Sequence, residues 1–146
     1  MPNDISVIAD LAHRIGIAGD PERSLALTRK AMALNPHHPT WYYYNFWIYH
    51  YWRREYQEAI AWAERIHDPE TFWWHACLAA TYAQFGRMAE AQAALVELER
   101  VYPGFTVQTL EKELKVFHWA DWQIKGFADG LKKAGLTEGN NTAKAR

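Results

Sequence analysis

Apolar residues recur at helical spacing along much of this chain. Val107, Leu110, Leu114 and Phe117 make one stripe with charges between them, and Trp122, Phe127 and Leu131 make another. One stretch has no stripe. Thr40 to Trp52, TWYYYNFWIYHYW, carries nine aromatic side chains in thirteen residues and no charge before Arg53. A helix that is apolar all round must be covered on most of its sides. A membrane span needs about 20 apolar residues, and Asn45 and His50 interrupt this run. The pattern therefore predicts a central helix covered by neighbours on both flanks.

The breaks agree with a chain of short helices. Gly19-Asp20-Pro21 and Gly86-Arg87-Met88 each separate two periodic segments, and Pro21 suits a first helical turn. Asn35-Pro36-His37-His38-Pro39, Asp68-Pro69-Glu70 and Tyr102-Pro103-Gly104 end others, since proline cannot continue a helix interior. Helices are predicted over 5–18, 21–34, 40–53, 56–67, 71–85 and 88–101, and then over 106–117 and 119–134. Residues 137–146 are polar and rich in Gly, Asn and Lys, and a disordered tail is expected there.

The first six helices repeat. Ala12, Trp47 and Ala79 sit in mid-helix, and each is followed twelve residues later by a small residue: Ser24, Ala59 and Ala91. The copies are offset by 35 and 32 residues. This resembles the tetratricopeptide (TPR) period of about 34 with its W-x2-L-G-x2-Y…A-x3-F…P pattern. The resemblance implies an all-α fold: a TPR-type helical hairpin solenoid of three repeats, 5–38, 40–70 and 72–105. The helices 106–117 and 119–134 then act as caps in a single domain, 1–136. Trp47 departs from the pattern, which has a small residue there.

A narrower likeness rests on four runs. They are Ala31-Met32-Ala33-Leu34-Asn35-Pro36-His37-His38-Pro39 with Trp41-Tyr42, Ala79-Ala80-x-Tyr82-Ala83-Gln84-x-Gly86-Arg87 with Glu90-Ala91, Pro103-Gly104-Phe105-Thr106, and Gly130-Leu131-Lys132-Lys133-Ala134-Gly135-Leu136. Over residues 22–137 or so the chain resembles the C-terminal TPR region of bacterial class III adenylate cyclase-like and winged-helix regulator proteins. That likeness implies a regulatory or interaction module in signalling.

Composition narrows the function. The formal net charge is −1, with 16 Lys/Arg against 17 Asp/Glu, too weak a field for a nucleic-acid face or a membrane anchor. A single cysteine, Cys77, excludes an internal disulfide framework and fits a reducing compartment. MPNDISVIAD has no basic and apolar leader pattern, so the expected location is the cytoplasm. The seven histidines form no HxxxH or HExxH pair, and GxSxG and phosphate-loop motifs are missing. No catalytic residue, metal ligand or cofactor is predicted.

What remains is the concave groove that the TPR likeness implies, lined by the first helix of each pair. The residues that would face it are Ser6, Ala9, His13 and Ile17 in the first pair, Trp41, Tyr44, Ile48, Tyr51 and Trp52 in the second, and Trp73, Ala76, Ala80, Ala83 and Gln84 in the third. Large aromatics opposite alanines could leave an apolar slot with polar tips. Aromatics with polar tips are also common interface anchors. Tyr42, Tyr43, Phe46 and Trp47 are expected to fill core instead, each ring burying roughly 150–250 Å². For Trp41, Tyr44, Tyr51 and Trp52 core and groove stand level. The expected partner is an apolar or aromatic-rich peptide or helix. The alternatives are a sensor enclosing a small apolar ligand and a self-association module that dimerises.

Overall fold

The computed structural model describes residues 2–139, with side chains from Asp4 onward. Its described residues are all-α: eight α-helices, one short 3-10 turn and no strand. Residues 140–146, most of the expected tail, lie outside the described residues. The chain divides into two compact units, Met1–His67 and Asp68–Arg146.

The first unit holds α1 (Pro2–Ile17), α2 (Pro21–Leu34), α3 (Tyr43–Trp52) and α4 (Tyr56–Ile66). α1 packs on α2 and α3 packs on α4, while α3 also touches both α1 and α2. The α1–α2 turn is built by local chemistry. Gly19 takes φ +108°, a left-handed value that favours glycine. Next to it the Asp20 carboxylate accepts the Arg23 N–H at 3.2 Å as an N-cap, and Pro21 opens α2. The two helices approach closely at Gly16, where a Cβ would stand 2.8 Å from Ser24 Oγ.

The segment predicted as one helix over 40–53 is instead two pieces. Thr40–Tyr42 forms a 3-10 turn and the α-helix begins at Tyr43. In the tighter turn the Pro39 carbonyl accepts the Tyr42 N–H three residues on. Arg54 (φ +62°) and His67 (φ +46°) then end α3 and α4 in left-handed conformations without a glycine. Ala9, Ala31 and Tyr42 form a core cluster between α1, α2 and the 3-10 turn, with Ile5, Ile8 and Met32 packed against it.

The second unit holds α5 (Phe72–Phe85), α6 (Met88–Val101), α7 (Val107–Val116) and α8 (Asp121–Ala134). α5 is sandwiched: α6 covers one side and α8 another, and α7 packs on α8. Every residue from His75 to Ala83 is buried. The alanines of this run (Ala76, Ala79, Ala80, Ala83) let neighbouring backbones come close. α7 opens on a reciprocal cap between Thr106 and Thr109. Its next two amides, Val107 and Gln108, donate at 2.9 Å to the carbonyls of Thr137 and Glu138. The segment after α8 therefore returns to satisfy the orphan donors of α7.

The residues at the twelve-residue spacing share one fate. Ala12, Ser24, Trp47, Ala59, Ala79 and Ala91 are all buried. No helix among the described residues is long and apolar enough to cross a membrane.

Candidate functional site

Asn45 is the one amide in the aromatic helix α3, and it is fully buried. A buried side-chain amide must find partners. The first unit supplies them from two other helices. Thr28 Oγ1 donates to the Ser24 carbonyl at 2.8 Å, one turn back on α2. That commits the hydroxyl's single proton, so Thr28 Oγ1 accepts from Asn45 Nδ2 at 2.9 Å. Asn45 Oδ1 is thereby turned toward α1, where it accepts from His13 Nδ1 at 2.9 Å. The chain of donors runs from α1 through α3 to α2, and its direction sets the tautomer of His13. The proton sits on Nδ1, and Nε2 is left as an acceptor with no hydrogen bond among the described residues.

Beside this anchored imidazole stands Trp41. Its ring lies edge-on to His13 with centroids 6.3 Å apart, and edge-on to buried Tyr42 at 4.7 Å. Trp41 keeps 39% of its surface exposed, and among the aromatic residues of the first unit it is the large exposed one. An indole held from two sides but open on a third is how a preorganised contact residue looks. The surrounding charge is compensated, since Arg14 pairs with Asp10 at 2.8 Å on the same helix.

Burial lowers the His13 pKa below its ordinary 6.5; the Asn45 hydrogen bond and Asp10 oppose that, and Arg14 adds slightly to it. The folded protein thus resists protonation at His13 while the unfolded chain accepts it near 6.5. Stability from this group is fully present above pH 6.5 and is lost as pH falls from there through the depressed folded value. We expect wild type to lose stability between pH 7.5 and pH 5 relative to His13→Gln, measured as urea midpoints. Equal pH slopes for the two proteins would contradict the assignment. Glu55, whose carboxyl is lowered from 4.5 by hydrogen bonds from His50 and Arg53, titrates below that window.

The other residues expected in the groove divide by burial. Ile48 and Tyr51 are buried, Tyr51 at 2%, and no partner reaches them without opening the unit. Tyr44 and Trp52 are half-buried. The rings of Tyr51 and Trp52 meet edge-on at 4.7 Å, and both pack on Trp47. On α1 Ala9 and Ile17 are buried while Ser6 is exposed, and in the second unit Ala76, Ala80 and Ala83 are buried within α5. Trp73 is half-buried against Phe72 and Phe117, with centroids at 4.6 and 6.4 Å. Gln84 is half-buried and accepts from Lys133 Nζ at 3.2 Å, tying α5 to α8. Of the residues named from the pattern, Trp41 is exposed and half-buried His13 lies edge-on to it.

Asn45 and Thr28 were not among the expected site residues. The signal for Asn45 was present as the lone amide in an apolar helix. Thr28 gave none, because its role depends on which residue of α3 lies opposite. Two groups in the second unit that chemistry could use are instead held by the fold. Cys77 is buried, and burial raises its thiol well above the ordinary range, which leaves it un-ionised and unreactive. His75 donates to the Pro69 carbonyl at 2.6 Å and closes the turn before α5. Among the described residues no three His, Cys, Asp or Glu side chains are grouped to hold a metal ion. Comparison of the chain with protein-family models, with curated proteins and with solved structures finds no match.

Proposed function

We propose that this chain is a non-catalytic interaction module of TPR-type helical hairpins that receives an apolar or aromatic side chain of a partner peptide or helix against Trp41. One observation carries the reading: an exposed indole, braced by His13 and Tyr42, on a scaffold whose polar core fixes the bracing residue. The hairpin part is supported by the close packing of α1 on α2, α3 on α4 and α5 on α6. It is supported also by the burial of the residues at the twelve-residue spacing, where two helices of a repeat would meet. The sequence likeness to bacterial regulator tails is the ground for placing the module in a cytoplasmic signalling protein.

His13 Nε2 adds a polar preference. As an acceptor beside the indole it suits a partner N–H or O–H close to the apolar anchor. The test is selection of peptides from a random library on the immobilised protein, followed by titration of the consensus peptide. Trp41→Ala is expected to weaken binding by about thirty-fold or more, the scale of an interface anchor, while the melting temperature moves by only a few degrees. Consensus peptides that bind the variant as tightly as wild type would defeat the proposal.

A further inference from the structure

The first unit also carries two guanidinium groups laid over aromatic rings. Arg29 on α2 stands 5.8 Å from the centroid of the Phe46 ring. Phe46 stacks on Trp62 of α4 with centroids 4.0 Å apart and planes 20° from parallel. Arg65 lies 4.5 Å from the Trp62 centroid and 4.8 Å from that of Tyr43. The Tyr43 ring is itself held in place. His38 Nδ1 donates to the Asn35 carbonyl at 3.0 Å, so its Nε2 accepts the Tyr43 hydroxyl at 2.9 Å.

Both arginines are exposed, and neither has a carboxylate partner among the described residues. Arg14 by contrast pairs with Asp10, and Arg53 with Glu55 and Glu22, while Arg23 and Arg54 lack a carboxylate but stand over no ring among the contacts of this unit. A ring beneath a guanidinium takes up its flat face and leaves the N–H edge for an acceptor in the plane. Stacking also reduces the freedom that an arginine loses when a carboxylate binds it. Two such exposed forks on one partly buried aromatic cluster make a preorganised receptor for two carboxylates.

We propose that the Arg29–Phe46–Trp62–Arg65–Tyr43 face docks an acidic peptide segment of a partner protein, its carboxylates pairing with the two guanidinium forks. Nucleic acid fits less well. Residues 1–67 hold seven Lys/Arg and seven Asp/Glu, so the unit lacks the net field that phosphate backbones respond to. The positive charge here is local, which suits a few discrete carboxylates. His38 links this cluster to the Trp41 region, with its ring 5.6 Å from Tyr42 and 5.5 Å from Tyr43. The test below reads Arg29 and Arg65 and leaves Trp41 in place, so the two proposals fail independently.

The test uses fluorescein-labelled hexaglutamate and the full chain, with anisotropy for affinity and arginine Nε–H resonances for location. Wild type is expected to bind saturably, with the Arg29 and Arg65 signals shifting together and the affinity falling as salt rises. Arg29→Gln/Arg65→Gln should bind about tenfold more weakly, two exposed charge pairs being removed. Arg23→Gln/Arg54→Gln removes the same charge away from the rings and should bind within about twofold of wild type. Circular dichroism checks that both variants fold. No saturable binding to wild type, equal weakening in both variants, or tighter binding of an oligothymidylate of matched length would each overturn the proposal.

Discussion

Trp47→Ala is expected to lower the melting temperature by roughly 6–20 °C. The general repeat pattern has a small residue at this position, so pattern alone makes alanine the conforming choice. Packing gives the opposite sign. Trp47 is 1% exposed, with the Tyr51 and Trp52 rings 5.1 and 5.4 Å from it. Truncating a buried tryptophan costs about 3–5 kcal/mol, because the cavity left behind collapses only in part. For a chain of this length each kcal/mol moves the midpoint by about 2–4 °C. Calorimetry on the two proteins decides it. An unchanged or raised midpoint would mean that the indole is a passenger in the second hairpin.

The second large effect concerns the polar chain. Asn45→Leu keeps nearly the same volume but leaves His13 Nδ1–H without its acceptor and Thr28 Oγ1 without its donor. An unsatisfied buried polar group costs about 1–3 kcal/mol. Thr28 is fully buried while His13 is only partly so and can recover some hydration. The loss should therefore be about 2–4 kcal/mol, or roughly 4–16 °C in the midpoint. Thr28→Val alone orphans Asn45 Nδ2. The double variant should cost less than the sum of the two single changes, since it removes both ends of one bond. Nitrogen NMR reads the direction of the chain. Above its pKa wild-type His13 should be protonated on Nδ1, and a signal for Nε2–H instead would reverse the assignment of every donor in the chain. Because His13 braces Trp41, the Asn45 variant that remains folded should also bind the consensus peptide less tightly.

Much of this was legible because it is local. Pro21, Gly19 and Asp20 dictate the α1–α2 turn from within a few residues, and Gly86 and Gly135 end α5 and α8 in left-handed conformations. The predicted helix limits lie within three residues of the observed ones for that reason. The exception is Thr40–Tyr42, which winds as a 3-10 turn with the Tyr42 N–H bonded to the carbonyl of Pro39, three residues back. Composition alone could not separate these two windings in a stretch with so few polar residues.

Within the aromatic run, exposure was not legible. Trp41 and Tyr42 are adjacent and chemically alike, yet one is 39% exposed and the other sits in the core cluster with Ala9 and Ala31. Nor was the partner of Asn45, which lies 32 residues away in His13 and 17 away in Thr28. The stacking of Phe46 on Trp62 and the placing of two arginines over rings are of the same kind.

The sequence by itself determined that this protein is helical, where its helices break, and which segment could tolerate no wet side. Those properties follow from backbone geometry and side-chain spacing within one or two turns. Only the tertiary structure decided which indole faces outward, which amide is satisfied and which cations are left without a carboxylate. Each of these depends on atoms brought together from separate helices, and helical periodicity records the face a residue occupies but not what is packed opposite it.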